Sequence, residues 1–407
     1  MREGSVHPLR AAISGYRLAL EHTGYRRLWL AAVISRAGDT INFAALPLFV
    51  LGITHAVAAV ATTVLAEGFG LIAGGILAQS IVDRLPPRQL MVGLDLARAT
   101  AAALLVAFPS FPTALAVSLL LAIGTASFSP LSNAIVPRLV ADAALPAANG
   151  LQWTAGVLLQ LVAAPIGGVL VNVGAARLAF ALNALSFLIS GLILLGLPNL
   201  STVQAEVTSA WRQLTELVRA IPTVGILPPL IAMQALAALA VGATSALLVV
   251  LARDAYRLNG TGYGLWLSAI AVGALVGPLL IPLLARMPAH RVLGGAYVAR
   301  GVGDVGLGLL NNGIGGGLLL ALYGINTSSG MVAYQTMVQR DVPDAVRGRA
   351  FALLDVVWQS ARLASIAIGA GLAATIGIRW LFVLGGVLLI LSGILGLISL
   401  SAVPRSR

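Results

Sequence analysis

Twelve mostly apolar stretches of about 20 residues run through this chain and leave few ways for it to fold. They begin near Leu28, Ala58, Leu90, Thr113, Gly150, Arg177, Val224, Gly262, Arg291, Gly315, Arg349 and Trp380. A helix needs about that many apolar residues to cross a bilayer, because only intra-segment hydrogen bonds can satisfy the backbone in hydrocarbon. Six stretches precede and six follow a polar segment, Leu200 to Ala220, that carries Glu206, Arg212, Glu216 and Arg219. The chain is 59% hydrophobic and 10% charged, with a mean hydropathy of +0.97, far from the composition of soluble domains.

The halves look related. Ala45 to Val50 moved forward by 201 positions falls on Ala246 to Leu251, Arg98 moved by 202 on Arg300, and Arg177 on Arg379. The connector Pro137 to Gly150 falls on Val338 to Phe351. A shared shift of half the chain length reads as a duplicated unit with a linker. The expected division is a leader at 1–27, a six-helix bundle at 28–199, a linker at 200–221, a second bundle at 222–401 and a tail at 402–407.

All 25 basic residues are Arg, and the formal net charge is +11. In a membrane protein their distribution matters more than their sum. With the N-terminus placed inside, 17 fall on the cytoplasmic side and four, Arg177, Arg253, Arg257 and Arg379, on the other. The remaining four, Arg36, Arg98, Arg300 and Arg362, lie within spans. Both termini are therefore expected in the cytoplasm, and no nucleic-acid partner is called for. The leader, with five Arg before a full-length apolar run, does not read as a cleaved signal. Without cysteine there is neither a disulfide framework nor a thiolate metal site.

Ionisable residues inside spans are functional candidates by default. Arg36 and Asp39 are three apart on one face of the first span, as a coupling site or as a structural pair. Glu67 sits near the middle of the second span, either carrying a proton or neutral and hydrogen-bonded between helices.

The loop after the second span, Gln79 to Leu90, resembles the major facilitator superfamily signature G-x-x-x-D-R-x-G-R-R. Asp83, Arg84 and Arg88 fit it; Gln79 and Pro86 stand where glycines are commonest, and Pro87 replaces the first of the paired arginines. Tyr25 to Leu30, Gly38-Asp39, Ala45 to Leu48, Asp95 to Ala99, Ala184 to Leu188, Gln339 to Asp344, Arg347 to Phe351 and Ser360 to Arg362 are similar to its branch of siderophore exporters and macrolide efflux proteins. The fold this resemblance implies is an all-α membrane protein, twelve transmembrane helices in two pseudo-symmetric six-helix bundles. It also implies that Asp83, Arg84, Arg88, Asp95 and Arg98 form a cytoplasmic gate, with Asp95 and Arg98 in the first turns of the third span. The alternative is an interfacial cluster that sets topology. Ala164 to Gly168 is similar to the G-P-x-x-G-G motif of antiporters, with Ala for the first Gly and Pro displaced by one position.

In the second half, Arg300 and Asp304 are four apart and read as a structural pair. Asp355, Trp358 and Arg362 share one face of the eleventh span, which lines the cavity by resemblance. With Arg36 they are the expected substrate contacts, while Asp39 and Glu67 are expected to couple transport to protons. Trp358 alone also fits a core or lipid-facing position.

No G-x-x-x-x-G-K-[ST] is present, the four histidines have no zinc spacing, and there is no G-x-S-x-G. The reading is therefore not an enzyme. It is a secondary transporter of the plasma (inner) membrane, working as a monomer without cofactor, with the proton gradient as energy source. Its expected task is export of a small amphipathic compound such as a siderophore or macrolide. An importer or uniporter of the same fold, and a non-transporting scaffold or sensor, are the alternatives.

Overall fold

The computed structural model describes residues 16–81, 85–141, 144–199, 225–284 and 287–402. Within them lie twelve helices of 19 to 33 residues. The first six are α1 (Thr23–Thr54), α2 (Val57–Ile81), α3 (Pro87–Ala107), α4 (Phe111–Ile135), α5 (Leu145–Asn172) and α6 (Ala176–Leu194). The second six are α7 (Leu227–Ala246), α8 (Gly260–Leu284), α9 (Ala289–Leu309), α10 (Gly313–Asp341), α11 (Asp344–Ile376) and α12 (Ile378–Ser399). The chain is an all-α membrane protein. Large apolar side chains stand exposed on these helices: Leu192, Leu279, Ile314 and Ile398 are all more than 60% exposed. In water that surface would aggregate, and in lipid it is the required solvent boundary.

Ten of the twelve helices are long and apolar enough to cross a bilayer on their own. The other two, α9 and α10, fall short for a visible reason. Arg291, Arg300 and Asp304 lie along α9, and α10 is diluted by glycine, serine and threonine. Both are packed among apolar neighbours, α9 against α10 and α12, α10 against α8.

Two compact units make up the chain, Met1–Leu46 with Ala66–Glu206 and Pro47–Leu65 with Val207–Arg407. The boundaries pass through α1 and α2 rather than around them. The expected linker at 200–221 lies outside the described residues, as do 403–407 of the tail.

The duplication shows itself in contacts. In the first unit a methyl added at Gly70 would meet Leu119 and Ala122, and one at Gly74 would fall on the Ile123 backbone. The second unit repeats this 203 residues on, where Gly273 faces Ala321 and Gly277 faces Ile325 and Ser328. Each pair is a Gly-x-x-x-Gly step that lets two helices approach to backbone contact, α2 with α4 and α8 with α10. Ser127 on α4 donates to the Gly74 carbonyl at 2.9 Å, and Ser329 on α10 to that of Gly277 at 3.3 Å. Gly167 of α5 abuts Ile41 of α1, and Gly369 of α11 abuts Ala243 of α7, both shifted by 202. The turns after the fifth and eleventh helices use Gly174 at φ 76° and Gly377 at φ 87°, a left-handed conformation suited to glycine.

Arginines close the helix ends. Arg88 donates to the Leu197 carbonyl at 3.3 Å, and Arg27 to that of Gly196, just past the C-terminus of α6. In the second unit Arg379 donates to the carbonyls of Gly308, Leu310 and Ala255. Cations there satisfy orphan carbonyls and oppose the negative end of the helix dipole.

The glycine steps predict a paired outcome. Gly74→Ala should lower the thermal midpoint of the detergent-solubilised protein, at a cost of about 1–3 kcal/mol from overpacking. Gly75→Ala, whose added methyl meets nothing within 4 Å, should leave the midpoint unchanged.

Candidate functional site

The site in the first unit is built around the cation of Arg98. Asp95 and Arg98 are the ninth and twelfth of the 21 residues of α3, well inside the helix rather than in its first turns as expected. Arg98 is 3% exposed and Asp95 not at all. A guanidinium so placed is unaffordable without partners, and α1, α4 and α6 supply them. Its Nη2 donates to Asp95 Oδ1, and its Nη1 lies 3.9 Å from Asp39 Oδ2 on α1 and 3.4 Å from the Thr125 hydroxyl on α4. The rings of Phe128 on α4 and Phe187 on α6 lie 4.6 and 4.5 Å from the guanidinium carbon, a cation–π clamp. Gly124 leaves room for the arginine stem. Ser190 on α6 donates to Asp95 Oδ2 at 2.6 Å, so both oxygens of that carboxylate are engaged.

Asp39 differs from Asp95 in having an open side, its side chain being 31% exposed. Its ion pair is with Arg98 on another helix, not with Arg36 three residues before it. Arg36 is exposed, with its guanidinium over Gly156 of α5, and acts on Asp39 only at longer range, as does Glu67 from α2. At 3.9 Å the Asp39–Arg98 attraction is about 4 kcal/mol for an effective dielectric of 20, before desolvation is subtracted. Beside this pair, Asn183 of α6 is wholly buried with both amide atoms unpartnered, packed against Gly38.

The sequence reading missed Thr125, Phe128, Asn183, Phe187 and Ser190. Of the expected gate, Asp83 and Arg84 lie outside the described residues, and Arg88 caps the end of α6.

Chemically different groups occupy the second unit. Arg300 donates to the Thr327 hydroxyl at 3.4 Å, the same distance and spacing as Arg98 to Thr125. It also donates to the Tyr323 hydroxyl at 2.7 Å and lies 3.9 Å from that ring's centre. Asp304 is buried near it, with Oδ2 unpartnered. Asp355 is exposed and lies within electrostatic range of the Tyr334 phenol. Trp358 is half-buried against the cluster of Ala237, Ala240, Val241 and Leu389, and Arg362 is half-buried one turn further on. Tyr297 donates to Gln234 in the same region.

A family model, Major Facilitator Superfamily, matches residues 28–366. The chain belongs to that superfamily. It is therefore a multi-pass membrane transporter of small molecules and not an enzyme. It is 26% identical over 378 residues to "Enterobactin exporter EntS" of Shigella flexneri, covering 88% of this chain and 85% of that one. Among solved structures, a nucleoside transporter, NupG, has a TM-score of 0.77 at 12% identity, covering 93% of this chain and 99% of its own. A bacterial homologue of the iron transporter ferroportin in its inward-facing state has a TM-score of 0.71 at 18% identity, covering 92% and 97%. Both likenesses are of fold.

Removing one partner of a buried ion pair strands the other. Asp95→Ala should destabilise the protein by about 3–5 kcal/mol, while Asp95→Ala with Arg98→Ala should recover part of that loss. Thermal unfolding of the two variants in detergent checks the difference.

Proposed function

We propose that the chain exports a small amphipathic compound, such as a siderophore or macrolide, from the cytoplasm by alternating access, driven by protons. Its place is the inner membrane with both termini cytoplasmic, and it acts as a monomer. Identity to enterobactin exporters over most of the chain supports the direction and the class of cargo. The observation that carries the coupling is Asp39, partly open and 3.9 Å from a cation that Asp95 already holds. A proton arriving on Asp39 cancels its pull on Arg98, and α1 is freed from α3. A proton leaving restores the link. Chemistry at one carboxylate thus becomes a change in how two helices are tied.

In this reading Glu67 is the second coupling carboxylate, and Arg36, Asp355, Trp358 and Arg362 meet the polar parts of the cargo. Asp83, Arg84 and Arg88 act at the cytoplasmic gate.

Inverted membrane vesicles with an imposed proton gradient and labelled enterobactin as the probe test this. Wild-type vesicles should accumulate the probe against its gradient, and Asp39→Asn should cut that accumulation at least about tenfold while downhill equilibration survives. Accumulation unchanged by both Asp39→Asn and Glu67→Gln would refute the coupling. Uptake in the opposite orientation would refute export.

A further inference from the structure

Two arginines occupy matching places in the repeat, and only one has an acid bound to it. Arg98 in the first unit is held by Asp95 and paired with Asp39. At the shift of 202 those two acids become Tyr297 and Val241, so the matching cation, Arg300, has neither. Asp304 is buried one turn along the same helix, but the described residues hold no ion pair between the two. Asp304 Oδ2 and Arg300 Nε both lack a partner. Arg300, 6% exposed, is left with neutral company: the Thr327 hydroxyl at 3.4 Å, the Tyr323 hydroxyl at 2.7 Å and the face of the Tyr323 ring. A cation inside a span without a bound anion is costly, and a ligand that brings one removes that cost.

The hydroxyls open the way to it. Arg300 itself is closed in, whereas Tyr323 is half-buried and Thr327 on α10 and Ser245 on α7 are exposed. This open side is not the lipid side. The most exposed apolar residues of α10, Ile314 and Leu318, lie about half a helical turn round from Tyr323 and Thr327. The Tyr323 oxygen accepts from Arg300, so its own proton is left to give, polarised by the cation behind it. The Ser245 hydroxyl is 3.4 Å from the same oxygen, longer than a good bond between hydroxyls, so a stronger acceptor would displace it.

We infer that Tyr323, backed by Arg300 and rimmed by Ser245 and Thr327, is a subsite for an anionic oxygen group of the cargo, a carboxylate or a phenolate. The inference rests on the transport reading only in calling the ligand cargo, and it deepens that reading by naming the charge the cargo carries. The anion accepts from the Tyr323 hydroxyl and supplies the negative charge that Asp39 and Asp95 supply to Arg98 in the first unit.

Saturation-transfer NMR on the purified full-length protein in lipid nanodiscs tests this, with benzoate and its neutral isostere benzamide as probes. Wild type should bind benzoate at least about tenfold more tightly than benzamide. Tyr323→Phe keeps the ring over Arg300 and removes the donor; it should weaken benzoate about tenfold and benzamide far less. Arg300→Gln should abolish the preference for the anion, while Gly75→Ala in the first unit should bind both probes as wild type does. Equal binding of the two probes to wild type would overturn the inference, and so would a benzoate preference that survives Tyr323→Phe. Should Arg300→Gln fail to fold, the Tyr323 comparison decides alone. The vesicle experiment fails separately. Gradient-driven accumulation without a benzoate preference sinks the subsite and leaves export standing, whereas a Tyr323-dependent preference without accumulation sinks export and leaves an anion site.

Discussion

Keeping a guanidinium inside a bundle of apolar helices is the constraint on which the first unit is organised. An uncompensated charge at the centre of a bilayer costs about 2.5–3.5 kcal/mol even on insertion scales. Arg98 is accommodated because four helices contribute at once: a carboxylate of its own helix, a second from α1, an aromatic ring and hydroxyl from α4, and a ring from α6. Ser190 then fixes the primary carboxylate. The two carboxylates would be poorly placed without the cation. Together these groups bring α1, α3, α4 and α6 to a common point.

The second unit shows what duplication preserves and what it releases. Geometry is retained: the arginine-to-threonine contact, the glycine steps, the left-handed glycine turns. Chemistry is not. At the shift of 202, Asp95 corresponds to Tyr297 and Asp39 to Val241. Arg300 instead leans on the ring and hydroxyl of Tyr323, with Asp304 nearby on its own helix. A scaffold tied together by backbone approach can exchange its side-chain chemistry, since the glycines and not the charges set the helix spacing. An ion pair between helices in the first unit and an arginine held by a tyrosine in the second follow from the same template.

Much of this fold could be read from the sequence because hydrocarbon leaves little choice: an apolar run of sufficient length must be a helix. The exceptions are informative. Polarity in α9 and α10 comes from Arg300, Asp304 and the hydroxyl residues; a hydropathy window registers it but not the packing that compensates it. The site was less legible. Arg36 and Asp39 satisfy the local spacing rule for an ion pair, yet tertiary packing gives Asp39 to Arg98, 59 positions away in the chain. Asp95 and Arg98 looked like residues at the mouth of a span, although α3 begins at Pro87 and carries them to its middle. The partners Ser190, Phe128 and Phe187 carry no signature of their own, since their role depends on the register of α4 and α6 against α3. The 202-residue shift was the one available hint, because it pairs Thr125 with Thr327 as it pairs Arg98 with Arg300.

The account turns on Arg98 staying with Asp95 while its link to Asp39 opens and closes with a proton. Experimental structures of the protein in lipid nanodiscs, determined at alkaline and at acid pH, measure this most directly. The account requires Arg98 to remain on Asp95 in both, within ion-pair distance of Asp39 at alkaline pH and beyond it at acid pH. An Asp39–Arg98 distance that does not respond to pH, or an Arg98 that leaves Asp95 instead, would contradict it.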